Sequence, residues 1–279
     1  MISDQRIPRS LIAALTVASF FAILSFALGP SPASPAARQS SAHKTAKTKA
    51  PSKAAVPDAA VPFRAGETLQ YQVAWATFTS AASVQLSVQE RRDIFGWGTW
   101  HFRASAHTLN TVRSLFPIDD QFDSYTDTAT LESRQYEMYL NEMGKKQDRM
   151  FHLLPQGEAP RGPVSRVIVL PGTRDPLGAL YSLRGVDWQK TPEFRAPVYD
   201  GRDVYEIRAR QDATEETVSV AAGKYSASRI SIRLFQHDKE ISGMKFSAWF
   251  AHNAARTPVL IQADLPFGNL RVELTSASR

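Results

Sequence analysis

The sequence predicts a mainly β domain: a large curved antiparallel sheet, forming a barrel or a half-barrel, with one or two short helices. Three observations carry this. Apolar residues recur at every second position over most of residues 61–279, the period of a strand with one dry face and one wet face. The alternating runs are separated by short gaps holding Gly, Asn, Asp or Pro, the residues of hairpin turns. Only two stretches have helical spacing. A sheet of about ten or more strands tends to curl, which removes exposed edges.

The elements follow in order. Leu69, Tyr71, Val73 and Trp75 share one strand face, and Val84, Leu86 and Val88 share the next. Phe102, Ala104 and Ala106 point opposite to His101, Arg103, Ser105 and His107. Asn110 to Phe116 reads as a short helix stopped by Pro117. Tyr136, Met138 and Leu140 alternate with Gln135, Glu137 and Tyr139. Asp175-Pro176 opens a better helix, with aspartate as N-cap and proline at the first helical position. Leu177, Leu180, Tyr181 and Arg184 occupy its successive turns, and Gly185 ends it. Tyr205, Ile207 and Ala209, then Ile230, Ile232 and Leu234, then Met244, Phe246, Ala248 and Phe250 continue the alternation. Val259, Ile261, Ala263 and Leu265 lead through the turn 266–269 to Leu270, Val272 and Leu274.

The first sixty residues are different. Arg6 and Arg9 precede an uncharged, mostly apolar run of eighteen residues, Leu11 to Leu28. This is an export signal, either cleaved near Ser31-Pro32-Ala33 or Ser34-Pro35-Ala36, or retained as an inner-membrane anchor with its N-terminus inside. Residues 29–60 form a Pro/Ala/Ser/Lys-rich spacer with too little apolar surface to offset its ordering entropy. The reading is therefore 1–28 signal or anchor, 29–60 disordered spacer and 61–279 a single β-rich domain. It places the domain in the periplasm or otherwise outside the cytoplasm, with membrane contact only through the N-terminal segment. With no cysteine in the chain, disulfides and a lipid-modified cysteine are excluded.

The net charge of +6 is concentrated in that leader. Residues 1–60 hold seven Lys/Arg against two Asp/Glu, leaving 26 against 25 in the rest. The folded part is nearly neutral and carries no nucleic-acid-binding motif, so a nucleic-acid partner is excluded.

Six segments occur in an order that resembles a known family. They are Pro62-Phe63-x-x-Gly66-Glu67-x-Leu69-x-Tyr71-x-Val73-x-Trp75, Phe116-Pro117-x-x-Asp120-x-Phe122-x-Ser124-Tyr125-x-Asp127 and Asp175-Pro176-Leu177-x-Ala179-Leu180-Tyr181-x-Leu183-Arg184. Pro197-Val198-Tyr199-Asp200-Gly201, Ala222-Gly223-x-Tyr225 and Arg256-x-Pro258-Val259 complete the set. Together they resemble the "domain of unknown function 3108" family of exported bacterial proteins. The resemblance implies an exported β-rich domain and carries no catalytic residue.

The chemistry-bearing residues form no known active-site pattern. Asp119, Asp123 and Asp127 share a strand face but lack the glycine turn and terminal glutamate of a calcium loop. His101 and His107 are six apart, about 20 Å along a strand, and the other histidines have no ligand-like spacing. No nucleophile elbow or phosphate loop is present. Glu67 and Asp200 are the remaining candidates for an acid–base pair, and nothing in the sequence brings them together. No catalytic residue, metal ligand or cofactor is therefore expected. The aromatics Tyr71, Trp75, Phe122, Tyr181 and Trp249 are the ligand-pocket candidates, core in a closed barrel and cavity wall in a half-barrel. Trp97 and Trp100 fall at a hairpin tip, packed there or presented to a partner. The functional expectation is non-enzymatic binding of an amphipathic or lipid-like ligand in the curved sheet, with the Asp175 helix as plug or lid. The alternatives are a structural module that engages an envelope protein, and an envelope hydrolase.

Overall fold

The computed structural model describes residues 58–94, 96–155, 165–266 and 268–279. The apolar run 11–28 and almost all of the spacer lie outside the described residues. Strands β1 (Thr68–Trp75), β2 (Phe78–Ile94) and β3 (Trp97–Thr108) precede helix α1 (Asn110–Leu115). Strands β4 (Asp119–Asp127), β5 (Ser133–Glu142), β6 (Lys145–Pro155) and β7 (Ser165–Val169) lead to helix α2 (Pro176–Gly185). The chain then makes β8 (Phe194–Tyr199), β9 (Val204–Val220), β10 (Gly223–Gln236), β11 (Lys239–Glu240), β12 (Lys245–Ala251), β13 (Pro258–Leu265) and β14 (Gly268–Ser278).

All fourteen strands belong to one sheet, ordered β7-β6-β5-β4-β3-β2-β1-β14-β13-β12-β10-β9-β8, with β11 beside β10. Hairpin neighbours pair antiparallel, as the period-two runs and tight gaps require. The β6–β7 pair is parallel, a departure from the all-antiparallel expectation.

The sheet is a large curve that does not close, since β7 and β8 do not pair. The segment between β7 and α2 spans the gap instead. Arg174 exchanges backbone hydrogen bonds with β8, its N–H to Pro197 O at 2.9 Å and its O from Tyr199 N at 2.8 Å. Thr173 O accepts from Ser133 N of β5 at 3.1 Å. A satellite cluster of Leu153, Val169 and Tyr199 packs between the two ends. The turn after β8 presses on β5 at Gly201, whose φ is +100° and where a Cβ would meet Met138 Sδ at 2.6 Å. Only glycine satisfies both conditions without strain.

The concave face carries the core. Leu69, Tyr71, Val73, Phe102, Phe122, Tyr136, Ile230, Ala248 and Leu274 are all buried there. Helix α2 occupies the hollow, with every residue from Pro176 to Arg184 buried. A helix buried along its length has no need of a polar face, and in its sequence PLGALYSLRG only Tyr181, Ser182 and Arg184 carry polar side-chain atoms.

Candidate functional site

The helix is fixed at both ends, which defines the space beside it. At the N-terminus the Asp175 carboxylate caps the helix, Oδ1 accepting from Gly178 N at 2.8 Å. Its Oδ2 accepts from Ser124 Oγ of β4 and Ser133 Oγ of β5, each at 2.5 Å. Burial pushes the Asp175 carboxyl above its ordinary range, and these donors oppose the shift. Ser133 Oγ in turn receives Asp175 N at 2.7 Å.

At the C-terminus Arg184 and Glu67 form a bidentate pair, Nη1 to Oε1 at 2.6 Å and Nη2 to Oε2 at 2.9 Å. Both side chains are buried, 1% and 0% exposed. Arg184 Nη2 also donates to Ala255 O at 2.8 Å. Burial is the largest influence and works against the guanidinium charge, but the Glu67 hydrogen bond together with the electrostatics of Tyr181, Glu67 and Tyr71 raises the Arg184 pKa. Arg256 Nη1 donates to Arg184 O at 3.2 Å and Val186 O at 2.7 Å, satisfying carbonyls at the end of the helix. Between the anchors, Tyr181 stacks on Phe102 with centroids 3.9 Å apart. The residues Glu67, Ser124, Asp175, Tyr181, Arg184 and Arg256 come from four of the six sequence segments, and all of them hold α2.

One flank of α2 packs on β3 and β4. Along the other runs a groove in two parts. The first is an apolar slot of about 50 Å³, walled by Ala179, Leu180 and Leu183 of α2 and by Ile207, Ile232 and Phe246 of the sheet. The second is an open polar cleft of about 570 Å³ at the C-terminal end of the helix. It is lined by Asp187, Trp188 and Gln189, by Gln211, Thr214 and Ser228, and by the turn His252–Arg256. Leu183 borders both parts.

The five aromatic candidates lie elsewhere. Tyr71 is buried and donates to Pro258 O at 2.7 Å. Trp75 stacks on Phe78, Phe122 on Tyr136 and Tyr181 on Phe102. Trp249 donates from Nε1 to Glu216 Oε2 at 2.6 Å. None of the five lines the slot or the cleft. The signal for the groove was weaker: a small residue, Ala179, on a helix of large ones, and two polar turns, 187–190 and 252–257.

The polar candidates separate into structural roles. Asp119 accepts from both Nη atoms of Arg113, which holds its carboxyl down to about 2. Asp123 is enclosed by His101 Nε2 at 2.5 Å, Arg103 Nε at 2.8 Å and Gln121 Nε2 at 2.6 Å. Asp127 builds the following turn, accepting from Ala129 N and Thr130 N. Glu67 belongs to Arg184, and Asp200 accepts from Arg202 N and Asp203 N in its own turn. At the hairpin tip, Trp100 meets Phe63 edge-on at 5.4 Å, and the Arg134 guanidinium lies 3.9 Å from the Trp97 ring. Asp120, named by the sequence with Asp123, His101 and His107 as a candidate for an enzyme site, stands apart from them. It is 1% exposed, Oδ1 accepts from Asn141 N at 2.8 Å, and Oδ2 meets no donor among the described residues. Burial raises its pKa to about 7.

In the cleft, His252 lies across two serines, Nδ1 at 2.9 Å from Ser226 Oγ and Nε2 at 2.9 Å from Ser228 Oγ. Ser228 Oγ is also 2.8 Å from Thr214 O. A carbonyl only accepts, so the serine proton goes to Thr214 and His252 meets the serine as a donor. That arrangement does not activate Ser228 as a nucleophile.

Among the described residues no helix is long and apolar enough to cross a membrane. A search of curated proteins finds no relative of the chain. A β-barrel-like protein of the DUF1849 group from Brucella abortus superposes with a TM-score of 0.48 at 11% identity, over 80% of this chain and 99% of that one. A protein with a YmcC-like fold from Bacteroides fragilis gives 0.34 at 10% identity, over 80% and 100%. The hypothetical protein CT021 from Chlamydia trachomatis gives 0.38 at 7%, over 77% and 88%. The profile of the protein of unknown function family DUF3108 matches residues 70–275, and the chain belongs to that family.

Proposed function

We propose that the protein is an extracytoplasmic binding protein for an amphipathic molecule, held in the groove beside α2. The observation that carries this is the adjacency of the apolar slot and the polar cleft, which share Leu183 in their walls. A ligand with a hydrocarbon end and a polar end matches such a site along its length. The slot is small, so it admits the first carbons of a chain. A longer chain requires the β8–β10 wall to move outward. That wall is an end of the open sheet, and Arg174 is its backbone tie across the gap. Helix α2, anchored at both ends, is in this reading a plug and not a lid. The extracytoplasmic site of action rests on Arg6, Arg9 and the apolar run that follows them.

Titration with a fluorescent single-chain fatty acid tests the groove. Ala179→Leu adds bulk inside the slot and should weaken binding about tenfold while the protein still melts cooperatively. Equal binding by the variant, or no binding by the wild type, would sink the proposal.

A further inference from the structure

The cleft itself indicates what kind of polar end it receives. Its charged groups are already matched. Asp187 Oδ2 lies 2.9 Å from Lys190 Nζ and Oδ1 accepts from Gln189 N. Arg256 gives Nη1 to the Arg184 and Val186 carbonyls and lies close enough to Asp187 to help hold that carboxyl down, and the Arg184 side chain is taken by Glu67. An ionic headgroup would find no concentrated opposite charge.

Much of the remaining polar lining is carboxamide and hydroxyl. The side chains of Gln189, Gln211 and Thr214 line the cleft and make no hydrogen bond to the described residues, and the Ser228–His252 pair borders them. Carboxamides and hydroxyls offer donors and acceptors together, which suits a partner whose every hydroxyl does the same. Trp188 lines the cleft as well and is half-buried. An indole face is electron-rich and attracts the weakly positive C–H bonds of a saturated ring. The volume of about 570 Å³ lies within the usual range of small-molecule sites, roughly 300–1,000 Å³.

We propose that the cleft between Trp188 and Gln211 binds an uncharged sugar ring. The inference builds on the groove reading above and names its headgroup. A sugar ring could arrive on a lipid or as part of a free glycan, and the test separates the two.

Three probes are titrated by calorimetry below their micelle concentrations: octyl β-glucoside, octyl phosphocholine with the same tail, and methyl β-glucoside with no tail. The glucoside should bind about tenfold more tightly than the phosphocholine. Gln211→Ala, at a half-buried strand position, should abolish that preference by weakening glucoside binding, and Trp188→Ala should weaken glucoside binding as well. Equal binding of the two octyl probes, or a preference that survives both substitutions, overturns the sugar proposal and leaves the groove reading standing. Methyl glucoside binding as tightly as octyl glucoside supports the sugar site, assigns it to free glycan and removes the tail. Failure of all three probes overturns both proposals.

Discussion

The Glu67–Arg184 pair is the sharpest test of how the helix is held. Glu67→Gln preserves shape and removes the negative charge facing a guanidinium that is 1% exposed. Water cannot replace the lost partner, and Arg279 approaches Glu67, not Arg184, at 3.8 Å. Stranding one charge of a buried pair costs about 3–5 kcal/mol. For a domain of this size each kcal/mol moves Tm by about 2–4 °C, so the melt should fall by roughly 6–20 °C. The double variant Glu67→Gln/Arg184→Met removes the stranded charge as well. It leaves the Ala255 carbonyl without its 2.8 Å donor, a loss of about 1–3 kcal/mol. It should therefore melt above the single variant. Thermal unfolding followed by circular dichroism at low and high salt reads both, and salt should not close the gap because the pair is out of solvent. A Glu67→Gln protein within about 1 kcal/mol of wild type would refute the reasoning, as would a double variant no more stable than the single.

Three further outcomes follow from contacts described above. Gly178→Ala, stabilising on an ordinary helix, should destabilise here by about 1–3 kcal/mol: the new Cβ would meet Ser133 Oγ at 2.7 Å, and a urea melt with unchanged midpoint would contradict that. Asp175→Ala removes the cap and leaves the Ser124 and Ser133 hydroxyls without their shared acceptor, so it should cost about 2–4 kcal/mol, whereas Asp175→Asn should retain part of the stability in the same melt. Asp120, whose folded pKa is raised to about 7, stabilises the fold fully below its unfolded value and loses that contribution as pH rises toward 7. The stability of Asp120→Asn relative to wild type should therefore climb by up to about 4 kcal/mol between pH 4 and 7 and then level; a difference that stays flat across that range would remove Asp120 as its source.

Period-two patterning made the hairpins legible because a strand with one wet face writes its register directly into sequence. Leu270, Val272 and Leu274 read correctly for that reason, and all three are buried. Helix α2 was legible from Asp175-Pro176 alone, since its capping chemistry is local. Its role was not. Glu67 and Arg184 are 117 residues apart, and no local rule joins them. The parallel β6–β7 pair was hidden for a similar reason, because direction depends on the return path and not on the strand's own residues. The aromatics drew attention to the sheet faces, where size and burial go together. The groove lies instead where the helix surface is small, at Ala179, and where turns bring Trp188 and His252 to one rim. Such a space is a property of packing, and its lining residues share no spacing along the chain.

The pairing of β1 with β14 sets Thr68 opposite Ser278 in the middle of the sheet. The domain is thus stitched along a seam between its earliest and latest strands, a pairing of extreme sequence separation that favours slow folding. While a growing chain has not yet delivered Gly268–Ser278, β1 and β13 each present a bare edge, and bare edges recruit other chains. Productive folding therefore waits for the final strand, and a holding factor that shields the two edges until then would raise the yield. The same seam makes the domain a natural subject for circular permutation: the ends of β1 and β14 are close enough to be joined, and new termini opened at the exposed Met143–Gly144 turn would leave every strand pairing intact.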